Sequence, residues 1–258
     1  MHIALLQAAT LGRRAVVRTA RQPANVVFPL IFPMLLLAVN AGGLKAETQL
    51  PGFPTDSFLA FALAVPFVQG ALLATVNANV EFARAIQTGF LNRLALTPVR
   101  GFVLLAGQLG GLLTIALVQA VFYLVVGVAF GVRLETGFGG AVVLLVLEAA
   151  IALAFASFGS WAALRTGSTE AVQGLFPVFF VFLFLSSMNI PRNFIETDWF
   201  RWVATINPVS YLIEAVRSLV IEDWNWETIG LGFAVAIGMC LIGFTLASHA
   251  LINRMERT

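Results

Sequence analysis

Six stretches of this chain are long and apolar enough to cross a bilayer, and nothing else in the sequence restricts the fold as much. A bilayer core takes about 20 mostly apolar residues per helix. By that measure the spans fall at 24–43, 57–79, 102–131, 138–164, 171–190 and 228–251. Inside lipid every backbone polar group needs a partner within the chain, which leaves only helices or closed barrels. These runs are about twice the roughly 9–11 residues of a barrel strand. The expected fold is therefore an all-α polytopic membrane protein with six transmembrane helices, residues 1–258 forming a single transmembrane domain. Composition agrees: the chain is 59% hydrophobic and 11% charged, where soluble proteins carry about 25% charged residues. Pro23, Pro29 and Pro33 fall in or beside the first span, so that helix should kink, and neighbouring helices should satisfy the backbone groups that proline frees.

Basic residues give the orientation. Ten lie on one side (Arg13, Arg14, Arg18, Arg21, Arg84, Arg93, Arg100, Arg165, Arg254 and Arg257). Five lie on the other (Lys45, Arg133, Arg192, Arg201 and Arg217). The side with ten is expected to be cytoplasmic, which puts both termini on the cytoplasmic side of the cell membrane. The twin arginine Arg13-Arg14 is followed by Arg18 and Arg21 rather than an apolar run, so it reads as a basic cytoplasmic segment and not as a cleavable signal. The basic residues form no cluster, which argues against a nucleic-acid partner. Cys240 is the only cysteine, and His2 and His249 have no metal-ligand spacing. No G-x-x-x-x-G-K-[ST] run is present to cradle ATP phosphates, and no G-x-S-x-G elbow is present to suggest a hydrolase.

Four features stand apart from the spans. Residues 1–23 mix Ile3, Leu6, Leu11, Val16 and Val17 with arginines up to Pro23, a pattern suited to a helix lying in the membrane interface. Residues 81–97 place Phe82, Ile86, Phe90 and Leu94 on one stripe, with Arg84, Gln87, Asn92 and Arg93 mostly off it, and Pro98 ends the pattern. This predicts an amphipathic cytoplasmic helix whose apolar stripe docks on something. The outer helices, about 191–222, include Asn207-Pro208, a pairing of N-cap and first helical position. Val209, Leu212, Val216 and Leu219 then form an apolar face, and Trp199, Trp202, Tyr211, Trp224 and Trp226 are aromatics of the kind found at headgroup depth. Finally, Gln69, Gln119 and Glu148 fall at similar depths on three successive spans. An ionisable group at mid-bilayer marks a functional site by default. Two readings stand: a polar ring on a translocation path, or Glu148 hydrogen-bonding a neighbouring helix for packing. Phe179 and Phe180, in a phenylalanine-rich fifth span, are candidates for an apolar wall of the same path.

The run Gly89-Phe-Leu-Asn-Arg-Leu-Ala-Leu-Thr-Pro-Val-Arg100 resembles the cytoplasmic motif of ABC-2 type permeases, in particular the daunorubicin-resistance-like exporter branch. In that family the segment is the coupling helix, which inserts into the ATP-binding subunit. The resemblance implies that Gly89, Phe90, Leu91, Arg93, Leu94, Thr97 and Pro98 contribute to that contact, with Phe82, Arg84 and Ile86 on the same helix before them. The family also has paired re-entrant helices opening on (Asn/Leu)-Pro with a later arginine, matched here by Asn207, Pro208 and Arg217, with Tyr211 between them. The resemblance implies a permease subunit of an ATP-driven exporter, working as two copies in membrane lipid. ATP and Mg would be bound by a separate ATP-binding subunit, and this chain would not itself be an enzyme. The alternative is an ion-coupled secondary transporter, which calls for inverted repeats and paired intramembrane ionisable groups. Only one mid-membrane acid and no convincing repeat are found.

Overall fold

The computed structural model describes residues 23–89 and 101–255, and among these residues there is no strand. The elements are α1 (Pro23–Gly43), a 3-10 turn at Lys45–Gln49, α2 (Phe58–Ala62), α3 (Ala64–Gln87), α4 (Gly101–Ala129), α5 (Gly137–Thr166), α6 (Thr169–Gln173), α7 (Leu175–Phe184), a 3-10 turn at Arg192–Phe194, α8 (Asp198–Ile206), α9 (Pro208–Ile221) and α10 (Trp226–Met255). Among the described residues, four helices are long and apolar enough to cross a membrane: Phe58–Gln87, Leu109–Ala129, Gly137–Thr166 and Trp226–Arg254. Val27–Gly43 and Thr169–Phe184 are shorter apolar helices. The interfacial helix expected at 1–23 lies outside the described residues except for Pro23.

Two of the expected spans are broken, and each break has the same cause. A proline within a helix cannot donate to the carbonyl four residues earlier, and its ring crowds that carbonyl. Pro66 lies three residues after the break at Leu63, which separates α2 from α3. Pro177 lies three residues after the break at Gly174, which separates α6 from α7. The fifth stretch, expected to run over 171–190, is therefore two short helices, and the second of them stops at Phe184.

Helices α3 and α5 form the centre. α3 packs on α1, α4, α5, α6, α7 and α9, while α5 packs most extensively on α10. Close approach relies on small residues. A side chain at Gly159 would run into Asn79 of α3, and one at Gly243 would run into Ser157 of α5. Asn79 exploits the gap: its Nδ2 donates to the Thr75 and Ala156 carbonyls at 2.8 and 3.3 Å, and its Oδ1 accepts from Ser160 Oγ at 2.9 Å. The Ala152, Ala156 and Ser160 seam is fully buried, as small-residue packing between membrane helices requires. By contrast α1, α4 and α10 turn large apolar side chains outward, among them Leu35, Val39, Val125, Val128, Leu241 and Ile242. A monomer in water would not tolerate that much exposed apolar surface, whereas a lipid-embedded one requires it.

The prolines of α1 are accommodated as the sequence suggests. Pro33 lacks the N–H that would bond the Pro29 carbonyl, and the buried Tyr123 hydroxyl of α4 donates to that carbonyl instead. Gly70 of α3 makes room for the ring, since a Cβ there would fall 2.5 Å from it. Tyr123→Phe should lower the thermal midpoint of the purified protein in detergent, by roughly 1–3 kcal/mol if the carbonyl is left bare. Gly70→Val should lower it further by displacing the ring. An unchanged midpoint in both would show that Tyr123 is not what holds α1.

Candidate functional site

The best-organised polar site lies where α9 meets the breaks in the apolar helices. Asn207 caps α9, its side chain accepting from the Val209 N–H at 3.0 Å with Pro208 in the first helical position, which is the arrangement expected from Asn207-Pro208. The same side chain donates from Nδ2 to the Phe182 and Leu185 carbonyls at 2.6 and 3.0 Å. One residue thus starts α9 and satisfies the end of α7. Ser210 Oγ accepts from the Ser187 N–H at 3.2 Å.

Arg217 completes the clamp. It is 5% exposed, and its Nε donates to the Phe61 carbonyl at 3.1 Å, at the break before α3. Its Nη1 and Nη2 donate to the Ser187 and Met188 carbonyls at 3.1 and 2.9 Å, just past α7. The guanidinium carbon lies 3.6 Å from the centre of the Phe61 ring, a cation–π contact. Burial pulls its pKa down to about 9, against the opposing fields of Glu214 and Glu222, so it remains a cation at neutral pH. Both broken helices are therefore tied to α9 through backbone carbonyls at or near their breaks and ends.

Beside the clamp a pocket of about 380 Å³ is lined by Arg192, Glu214, Arg217 and Glu222 among others. Arg192 grips Glu214 with two hydrogen bonds, Nε–Oε1 at 2.8 Å and Nη2–Oε2 at 2.5 Å, and stacks 4.5 Å over the Tyr211 ring. Tyr211 itself donates to the Thr205 carbonyl at 2.8 Å. Around this end of the bundle Trp199, Trp202 and Trp226 are well exposed and Trp224 partly so. The structure brings together Asn207, Pro208, Tyr211 and Arg217. The roles of Ser187, Ser210, Arg192 and Glu214 were missed by the sequence reading.

The three intramembrane polar residues do share a level. Gln69, Gln119 and Glu148 each stand eighteen residues from the helix end at the opposite, Gly89 side of the bundle (Gln87, Gly101 and Thr166). That is about 27 Å at ~1.5 Å per residue. All three are buried within the chain. Gln69 Oε1, both polar atoms of the Gln119 amide and both oxygens of Glu148 have no hydrogen-bond partner among the described residues. Tyr123 lies within electrostatic reach of Glu148. The ring expected to line a path thus sits inside one copy of the chain rather than on its surface.

Phe179 and Phe180 separate. Phe179 packs inward, edge-on to Phe155 at 5.2 Å and Phe158 at 6.1 Å. Phe180 instead lines a groove of about 330 Å³ between α1, α3, α6 and α7, with Phe28, Phe32, Asn77, Gln173 and Phe176. The groove is aromatic with two amides on its walls, which suits an apolar molecule carrying a few polar groups. Among the described residues no group of His, Cys, Asp and Glu is placed to hold a metal.

At the opposite end the expected coupling helix divides. Residues 81–87 are the last two turns of α3, and the chain leaves that helix through Thr88 and Gly89. Gly89 has φ +76°, a left-handed conformation natural to a residue that ends a helix. Phe82 and Ile86 are buried against Ala163, Leu164, Val172, Ala247 and Leu251 of the same chain, so this half of the stripe is already covered. Arg84 is exposed and pairs with Glu81 at 2.7 Å. Phe90, Leu91, Arg93, Leu94, Thr97 and Pro98 lie outside the described residues.

A helical bundle with outward-facing apolar surfaces and four helices long enough to span a bilayer defines a multi-pass membrane protein. Residues 6–221 match the profile of the ABC-2 type transporter family, and the chain belongs to that family. Curated relatives are transport permeases. The chain is 26% identical to "Putative transport permease ycf38" of Porphyra purpurea over 95% of its own length and 89% of the relative's. It is 23% identical to the protein of the same name from Cyanophora paradoxa, over 92% and 86%. It is 25% identical to "Probable doxorubicin resistance ABC transporter permease protein DrrC" of Mycobacterium tuberculosis (strain ATCC 25618 / H37Rv), over 74% and 67%. Members of this family are membrane components of transporters and are not themselves catalytic.

Proposed function

We propose that this chain is the permease subunit of an ATP-driven exporter, two copies of which enclose a translocation path while two ATP-binding subunits dock at the Gly89 end. Family membership over 6–221 carries the reading. Six crossings per copy are proposed, with α1 and the broken α6–α7 pair completing the four long spans. Basic residues are richer at the Gly89 end, which favours placing that end, and both termini, in the cytoplasm. Hydrolysis of Mg-bound ATP takes place on the partner subunit. The closing motion reaches this chain through the coupling motif after Gly89 and continues into α3, the helix most widely packed in the bundle. The aromatic groove at Phe180, together with the doxorubicin-resistance permease among the relatives, favours an amphipathic substrate, either a drug or a lipid-like molecule such as a lipid-linked glycan. An ion-coupled carrier is not favoured.

Affinity purification of the tagged chain in mild detergent tests the reading. A P-loop ATPase should co-purify in about equal amount, and Phe90→Ala or Arg93→Ala should reduce its recovery roughly tenfold, the scale of an interface anchor worth more than about 1 kcal/mol, without changing the permease's thermal midpoint. Phe82→Ala should behave differently, lowering the midpoint because its ring is part of the chain's own core. Transport that survives ATP depletion, with no ATPase recovered, would refute the exporter reading.

A further inference from the structure

The pocket beside Arg217 has a charge arrangement that the clamp does not explain. Arg217 uses three of its five N–H donors on backbone carbonyls. No carboxylate meets it in a contact ion pair among the described residues. The nearest candidates are otherwise engaged or set back: both Glu214 oxygens are held by Arg192, while Glu222 acts on Arg217 only at longer range and accepts a 3.3 Å bond from Asn225 on one oxygen. Arg192 and Glu214 cancel. In net charge the pocket wall is left with one guanidinium, Arg217, and one partly exposed carboxylate, Glu222.

That pair is complementary to a zwitterion. A guanidinium edge favours a phosphate, with charge-assisted and often paired hydrogen bonds, and a carboxylate favours an ammonium. The pocket's location indicates the source. Glu222 stands two residues before Trp224, and Thr228, also on the wall, two residues after Trp226. Exposed tryptophans at the end of a membrane bundle mark the headgroup layer, so the mouth opens where lipid headgroups lie. About 380 Å³ falls within the roughly 300–1,000 Å³ of small-molecule sites.

We propose that this pocket binds the headgroup of one zwitterionic phospholipid, a phosphodiester bearing a primary ammonium, with the phosphate on Arg217 and the ammonium on Glu222. The proposal rests on the membrane placement of the tryptophan end and is independent of the ATPase. Bound lipid would pin α9 and the ends of α2 and α7 to one leaflet, and so fix the end of the groove helix.

Delipidated full-length protein, titrated with phospholipids of matched acyl chains, tests this by native mass spectrometry and thermal shift. Phosphatidylethanolamine should bind roughly tenfold tighter than phosphatidylglycerol or phosphatidylcholine. Glu222→Gln should erase that preference while lowering the lipid-free midpoint far less than Arg217→Leu does, because Glu222 makes none of the clamp's hydrogen bonds. Soluble O-phosphoethanolamine should compete only weakly. Tighter binding of phosphatidylglycerol would overturn the zwitterion assignment, as would a preference that survives Glu222→Gln. Equal binding of phosphatidylcholine would overturn the requirement for a primary ammonium. Binding of O-phosphoethanolamine as tight as the lipid's would overturn the lipid source. ATPase recovery, measured on the same samples, reports separately on the exporter reading.

Discussion

Arg217→Leu should leave the chain unable to hold its broken helices together, with a loss on the order of 3–5 kcal/mol. The figure follows from what the guanidinium does. Three buried carbonyls, at Phe61, Ser187 and Met188, lose their donor, and each unsatisfied group costs about 1–3 kcal/mol. The stacking on Phe61 is lost as well. An apolar side chain of similar size cannot offset this, because the carbonyls remain. Arg217→Lys should recover only part of the stability. An ammonium has three donors but lacks the planar fork that reaches three separate carbonyls while lying flat on a ring. The expected order of thermal midpoints is arginine, then lysine, then leucine. A protease-protection assay on the 185–206 segment should show the same order, since Arg217 and Asn207 together hold the chain past α7. Wild-type-like midpoints for both variants would mean that the α7 end is held by Asn207 and Ser210 alone.

Some of this was legible in the sequence, and the reason is the range of the interaction. Asn207-Pro208 announces a helix start because capping is decided within three residues. The common level of Gln69, Gln119 and Glu148 follows from counting along helices of fixed rise. The kink-prone first span was also readable, including that some neighbour must serve the freed carbonyl; that Tyr123 is the neighbour was not, since it lies 94 residues away. The breaks at Leu63 and Gly174 had signals, Pro66 and Pro177, that the apolar runs concealed: hydropathy does not register a missing N–H. The stripe that includes Phe82 and Ile86 reads as a docking face, yet periodicity does not distinguish a partner chain from the chain's own α5, α6 and α10, which cover these two residues. Arg217 is the clearest case. Its partners are carbonyls, which every residue carries, so no residue type at Phe61, Ser187 or Met188 could have pointed to it.

Glu148 allows the second large effect to be predicted with opposite outcomes for two substitutions. It is buried within one copy of the chain, level with Gln69 and Gln119, and neither oxygen has a partner among the described residues. A path-lining acid would face a surface shared with a second copy or a groove, as Phe180 does; Glu148 is fully buried within one copy. A role inside the bundle is therefore the one expected, but without the interhelical hydrogen bond that the packing reading called for. Glu148→Gln, nearly the same shape with an amide that both donates and accepts, should leave the thermal midpoint nearly unchanged and the transport rate within about twofold. Glu148→Lys should abolish folded protein in the membrane. A fixed positive charge at the centre of a span costs about 2.5–3.5 kcal/mol by insertion measurements and more by other estimates, and Gln69 and Gln119 at that level are uncharged. Expression, monodispersity in detergent and transport in vesicles distinguish the outcomes. A Glu148→Gln protein that is stable but transports more than tenfold slower would show that the acid takes part in translocation, and would revive the polar ring as a working element of the path.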